Sequence, residues 1–246
     1  MISRFYLPQP WAALNTPFTL TDDIFRHAIT VLRLRVGDAF VVFDGAGQMA
    51  QAHVTHVEKK SAQAQLTGIE QRSVESNLQV TLAQCLSSAD KMDWTIEKAV
   101  ELGVTRIVPL FSARSQIKLS AERTEKKVEH WQRIIIAACA QSGRNTLPKL
   151  IAPMQLNAFL STEKANDSHK LILHPRNAQP LKSLAAPAHS QSVTLLIGPE
   201  AGFDDNEFNN AQAAHFTPTL LGPRILRTES AGLATIAALQ TLWGDF

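Results

Sequence analysis

Cysteine is scarce, with two in 246 residues. Cys85 and Cys139 each lie in an apolar stretch, which excludes a disulfide framework and a metal quartet and fits a reducing compartment. Long apolar runs are missing too. The longest, "IIIAACA", falls far short of a bilayer span, and "MISRFYLPQPW" carries no apolar signal core. These absences predict a cytoplasmic protein with no membrane partner. Strong charge of one sign is also missing: the formal net charge is +2, too little to mark a nucleic-acid binder by itself. Its distribution says slightly more, since Lys and Arg outnumber Asp and Glu by 11 to 8 over residues 74–150. A solvated helix face such as "ERTEKKVEHWQR" gives the same excess.

Several catalytic signatures are absent. There is no Gly-Lys-Ser/Thr phosphate loop and no Gly-x-Gly-x-x-Gly opening a helix, which argues against ATP and NAD. There is no Gly-x-Ser-x-Gly elbow and no nucleophile with an evident base. In "HVTH", a three-residue step along a strand puts His53 and His56 on opposite faces, so no metal site is expected. No internal repeat or low-complexity segment occurs.

The pattern that is present changes near residue 73. Residues 1–73 are rich in short strand-like runs, "FTL", "AFVVFDGAGQMAQAHVTHV" and "AQAQLTGI", with one helix near "DDIFRHAITVLR". "FDGAGQ" reads as a hairpin turn. So few strands hide their edges best as a partly closed β-barrel. From residue 74 onward, strands ("LQVTLAQCL", "VTRIVPLF", "KLILH", "VTLLIG", "TPTLLG") alternate with helices ("DKMDWTIEKAVELG", "AERTEKKVEHWQRIIIAACAQSG", "FDDNEFNNAQAAH"). That alternation predicts an α/β domain with a mainly parallel sheet. Gly103 and Gly143 end two of the helices, and Asp204 with Glu207 has capping-box spacing.

Two strand ends attract attention. "LLIGPEAGF" and "LLGPRILRTES" both run an apolar strand into Gly-Pro. In open α/β sheets ligands bind beyond the carboxyl ends of strands, where glycines let the backbone approach closely. One such loop alone reads first as an ordinary strand-to-helix turn, whereas two from one sheet can close on one ligand. Arg224 and Arg227 add fixed positive charge. Around "RHAITVLRLRVGD", Arg26, His27, Arg33 and Arg35 either track a nucleic-acid backbone or form a solvated helix face.

In order along the chain, "HAITVLRLRVGD" (27–38), "KMDWTIEKAVELGV" (91–104), "PLFSARS" (109–115), "AACAQSGRNTLP" (137–148), "LLIGPEAGF" (195–203) and "LLGPRILRTESAGL" (220–233) resemble the RsmE family. These are the 16S rRNA uracil-N3 methyltransferases of the SPOUT class. The resemblance implies a PUA-like RNA-binding β-barrel over residues 1–73 and a SPOUT-type α/β trefoil-knot domain over 74–246. It also implies S-adenosyl-L-methionine as cofactor, 16S rRNA in the small ribosomal subunit as partner, and a homodimer. Periodicity does not show the knot, which the family alone supplies. The rival readings are a non-catalytic RNA-binding or assembly factor and a SPOUT methyltransferase acting on another RNA.

Carried over by motif, the family's cofactor loops fall on Leu173, His174 and Pro175; on Gly198, Pro199, Glu200 and Gly202; and on Leu221, Gly222, Ile225, Leu226 and Thr228. Small residues in "ESAGLATIAAL" (Ala231, Gly232, Ala234 and Ala237) would let the following helix pack closely. Arg227 is expected to stabilise negative charge on the uracil oxygens. Glu229 stands as candidate base, or as a carboxylate serving the helix dipole. Arg4, Arg33, Lys91, Arg114 and Arg144 are assigned to RNA. Three departures from the family pattern stand out. Ala201 replaces a Gly, which is tolerable at negative φ. Ser230 replaces a Thr and is expected to make the same helix-start hydrogen bond. Ala140 replaces a Glu and removes a carboxylate.

Overall fold

A computed structural model describes residues 2–115, 120–187 and 192–246. The chain divides into two compact units, residues 1–75 with 136–147, and residues 76–135 with 148–246. No helix among the described residues is long and apolar enough to cross a membrane.

The first unit is a five-stranded sheet formed by β1 (Arg4–Tyr6), β2 (Pro17–Thr19), β3 (Ala39–Phe43), β4 (Gln48–Val57) and β5 (Ala62–Gln71). Its order is β1-β3-β4-β5-β2. Alternation drives the fold: Ala50, Ala52 and Val54 of β4 and Ala62, Ala64 and Leu66 of β5 point inward and are buried, as a half-buried strand of period two requires. These small side chains leave room for Phe5 and Phe40, which meet edge to face at 5.5 Å. They also leave room for Ile24 on α1 (Asp22–Phe25). Register shifts between Gln51 and Ala52 and between Val54 and His56 bend the two longest strands, as bulges do. β1 and β2 remain the two edges, so the barrel is only partly closed, as expected.

The "RHAITV" stretch differs from a plain helix. After one α turn, residues Arg26–Val31 widen into a π-helical turn, and the chain leaves it through Arg33 at φ 59°. The strand at Arg4–Tyr6, which pairs in parallel with β3, is not signalled by the sequence because three residues carry no period.

The second unit is a parallel sheet built from β6 (Gln79–Cys85), β7 (Arg106–Phe111), β8 (Lys149–Leu150), β9 (Met154–Gln155), β10 (His169–Leu173), β11 (Gln179–Pro180), β12 (Ser192–Ile197) and β13 (Thr217–Leu220). The order is β11-β13-β10-β12-β6-β7-β8, with β9 also on β7. Its helices are α2 (Ala89–Glu101), α4 (Leu156–Glu163), α5 (Asp205–Ala213) and α6 (Thr228–Trp243), while α3 (Ala121–Ser142) belongs to the second unit up to residue 135 and to the first from residue 136. Central strands β6, β7 and β12 are buried on both faces, which is why they read as near-continuous apolar runs. Phe159 and Leu160 of α4 and Phe208 and Ala211 of α5 join one core with Val108, Leu110, Ile172 and Leu196. α6 packs against α2, β6 and β12.

Local signals explain where the helices stop and start. Gly103 and Gly143 both have φ 85°, immediately after α2 and α3. Asp204 and Glu207 form both bonds of a capping box at the start of α5. Fully buried Gln240 of α6 accepts from Ser76 Oγ at 2.8 Å and donates to the Leu102 carbonyl at 3.1 Å. These two bonds tie α6 to the start of β6 and the end of α2.

Candidate active site

The carboxyl ends of β10, β12 and β13 open into a cavity of about 810 Å³. Their order puts β10 between β13 and β12, so the three loops that follow them emerge side by side. All twelve residues assigned from sequence to the cofactor line this cavity: Leu173, His174 and Pro175; Gly198, Pro199, Glu200 and Gly202; and Leu221, Gly222, Ile225, Leu226 and Thr228. Ile225 is 94% exposed. It forms part of the apolar surface of the cavity wall, next to Leu226.

The loops are held by specific bonds. Thr228 Oγ1 donates to the Gly198 carbonyl at 2.6 Å and accepts from Gln84 Nε2 at 3.0 Å. One hydroxyl thereby joins the end of β12, the start of α6 and strand β6. Gly232, one helical turn further, faces Gln84, Leu82 and Ile197; a Cβ there would lie 3.3 Å from Gln84 Oε1. The small residue at 232 is therefore required by the same close approach. Gly202 has φ 68°, a left-handed turn that suits glycine. Ala201 is not among the residues with positive φ, so its Cβ is accommodated as expected. Ser230 behaves differently from expectation: Arg227 precedes α6 as its N-cap and no side chain caps the helix, and Ser230 contributes its backbone N–H, to the Arg227 carbonyl. Ala140 is not on the cavity wall.

Charge is unevenly used. Arg227 is exposed on the cavity wall, while Glu229 is not one of the lining residues. Its Oε2 is buried without a hydrogen bond and lies 3.7 Å from Lys91 Nζ. Lys91 and Arg114, assigned from sequence to RNA, line the cavity. Lys91 bonds Glu200 at 3.2 Å, and Arg114 donates to the Ala201 and Phe203 carbonyls.

The remaining three basic residues lie in the first unit. Arg144 is only 4% exposed and its guanidinium is paired with Glu75. Arg4 donates to Asn145 and lies over the Phe43 ring, and burial lowers its pKa. Both are occupied within the unit. Arg33 is exposed.

His174 accepts from the Arg176 N–H through Nδ1 at 3.1 Å and packs against Phe208. Desolvation and the neighbouring Arg176 charge lower its pKa, so at neutral pH it presents an uncharged ring with the proton on Nε2. Burial pushes the Cys85 thiol up and takes Cys139 to about 12; neither supplies a thiolate nucleophile. Gln84, which holds Thr228 from strand β6, is the residue that sequence reading missed; its signal was a lone amide inside the apolar run "LAQCL".

Comparison with known proteins agrees with this geometry. Residues 74–240 match the RNA methyltransferase domain, and residues 20–67 match the RNA methyltransferase PUA domain. The chain is 35% identical to ribosomal RNA small subunit methyltransferase E of Buchnera aphidicola subsp. Acyrthosiphon pisum, covering 100% of this chain and 95% of that one. Against the protein of the same name from Synechocystis the identity is 34%, over 95% and 76%. The crystal structure of a ribosomal RNA small subunit methyltransferase E from Neisseria gonorrhoeae, bound to S-adenosyl methionine, superposes with a TM-score of 0.93 at 41% identity over 100% of both chains. The expected fold, a SPOUT-type α/β domain with an N-terminal PUA-like β-barrel, is the one found. Full-length likeness in sequence and structure, on top of a strand-end cavity lined as the motifs require, places the chain in the family of ribosomal RNA small subunit methyltransferases E.

Proposed function

We propose that this protein transfers a methyl group from S-adenosyl-L-methionine to N3 of a uridine in the 16S rRNA of the small ribosomal subunit. The observation that carries this reading is the convergence of three strand-end loops on one cavity that pairs an apolar shelf with a free arginine. The lining suits the cofactor: Ile225 and Leu226 offer apolar surface to an adenine, and neutral His174 offers an N–H. Glu200 lies where a positively charged ligand is favoured. When bound, S-adenosyl-L-methionine supplies an electrophilic methyl carbon.

The chain's own residues handle the uracil. Its N3–H is a weak acid, and N3 becomes nucleophilic as the proton leaves and negative charge spreads to the neighbouring oxygens. Arg227 holds that charge, which is electrostatic stabilisation of a developing anion. Glu229, off the cavity wall and in the first turn of α6, serves the helix and Lys91 better than it serves as a proton acceptor. Residues 1–73 act as the RNA-binding domain, with exposed Arg33 toward the phosphate backbone, and residues 74–246 as the methyltransferase domain. The working unit is a cytoplasmic homodimer.

An equilibrium titration with S-adenosyl-L-methionine tests the catalytic reading. Saturable one-site binding, weakened when Ile225 is changed to Asp, is expected. Absence of binding would favour a non-catalytic RNA-binding factor.

A further inference from the structure

We infer that Lys91 is a positioning residue that ties the cofactor loop after β12 to the start of α6, rather than a ligand for RNA phosphate. This rests on the reading that the cavity binds S-adenosyl-L-methionine.

Lys91 stands in the first turn of α2, and its ammonium reaches two carboxylates from distant parts of the chain. Glu200 belongs to the loop after β12, and its Oε1 is 3.2 Å away. Glu229 follows directly on the loop after β13, and its Oε2 is 3.7 Å away. One cation from a third element thus bridges the loop after β12 and the first turn of α6, which follows the loop after β13. The partners differ in kind. The Glu200 side chain is 46% exposed, and a pair of that sort contributes little by itself. The Glu229 side chain is 15% exposed, and its Oε2 is buried with no hydrogen-bond donor. A carboxylate oxygen cut off from water needs a compensating charge nearby, and Lys91 supplies it.

Pairing argues against the phosphate role. Lys91 already faces two carboxylates, which leaves less of its charge for a phosphate. Arg114 fastens the same loop from its other side, through the Ala201 and Phe203 carbonyls. The loop after β12 is therefore held at three points: by Arg114, by the Thr228 hydroxyl of α6 at Gly198, and by Lys91 at Glu200.

The test measures two affinities in the full-length protein: S-adenosyl-L-methionine by titration calorimetry, and small ribosomal subunits across a salt series. Lys91→Met is expected to raise the cofactor Kd by about tenfold, within the usual range of coupling between a distal group and a binding site, while leaving RNA affinity and its salt dependence unchanged. Lys91→Arg, which keeps the charge, should restore most of the cofactor affinity. In a Glu229→Gln background, Lys91→Met should add much less than it does alone, because the shared interaction is already gone. Glu200→Gln, at the exposed end of the tie, should shift cofactor Kd in the same direction without disturbing the core, and so covers the case in which Lys91→Met folds poorly. Unchanged cofactor affinity together with a salt slope reduced by about one unit would overturn the inference and return Lys91 to RNA. If the wild-type protein bound no cofactor, the reading of the cavity itself would fall and the tie with it.

Discussion

Replacing Thr228 with Val removes one hydroxyl and nearly nothing else, because the two side chains have the same shape. That hydroxyl makes two bonds, to the Gly198 carbonyl at 2.6 Å and from Gln84 Nε2 at 3.0 Å. Gln84 keeps its second bond, to the Cys85 carbonyl at 3.1 Å, and Gly198 is partly exposed, so water can reach part of what is lost. Each group then forfeits about 1 kcal/mol, near the low end for a buried polar group losing its partner. The sum is about 2 kcal/mol with no cavity contribution. For a chain of this length 1 kcal/mol moves Tm by about 2–4 °C, so Thr228→Val should melt roughly 4–8 °C below wild type. Thr228→Ser keeps the hydroxyl, loses a methyl group, and should fall by less. Thermal melts of the three proteins side by side decide the matter. A Val variant melting within 2 °C of wild type, or above the Ser variant, would refute the claim that this hydroxyl joins β6, β12 and α6.

Other outcomes follow from neighbouring contacts. Gly232→Ala places a Cβ 3.3 Å from Gln84 Oε1 but gains about 1 kcal/mol of helix propensity, so its stability in urea should stay within about 1 kcal/mol of wild type. Gly232→Leu should lose about 1–3 kcal/mol through overpacking. Gln240→Leu strands Ser76 Oγ and the Leu102 carbonyl and should cost about 2–4 kcal/mol by the same measurement. His169, beside Trp243, has its pKa lowered by burial. The unfolded chain therefore takes up that proton more readily, and stability should be full above about pH 6.5 and decline as pH falls below it. His169→Asn should flatten that decline in melts run from pH 7 to pH 5.

The loops and the chemistry they carry were legible because they depend on local sequence. Gly-Pro after an apolar strand marks a tight exit, Asp204 with Glu207 marks a helix start, and Gly143 marks a helix end; each rule needs only a few adjacent residues. What sequence reading missed depends on partners far along the chain. Arg144 and Glu75 are 69 residues apart, and Lys91 and Glu229 are 138 apart by residue number, so a charge count shows free cations where the fold has made pairs. Helix α4 went unread because the two strands that precede it, β8 and β9, have two residues each, too short to frame it. The π-helical turn at Arg26–Val31 and the widened exit through Arg33 reflect packing of Ala28 and Ile24 into the sheet, which helical periodicity cannot distinguish from an α-helix.

The most direct measurement incubates the protein and labelled S-adenosyl-L-methionine with small ribosomal subunits from cells lacking this enzyme, then maps the RNA by reverse transcription. Methylation at N3 blocks Watson–Crick pairing, so a new stop at a single uridine is expected, and it should disappear with Arg227→Ala. Label in the RNA without a stop, or a stop that survives loss of Arg227, would contradict the proposed reaction at that atom or the role of that arginine.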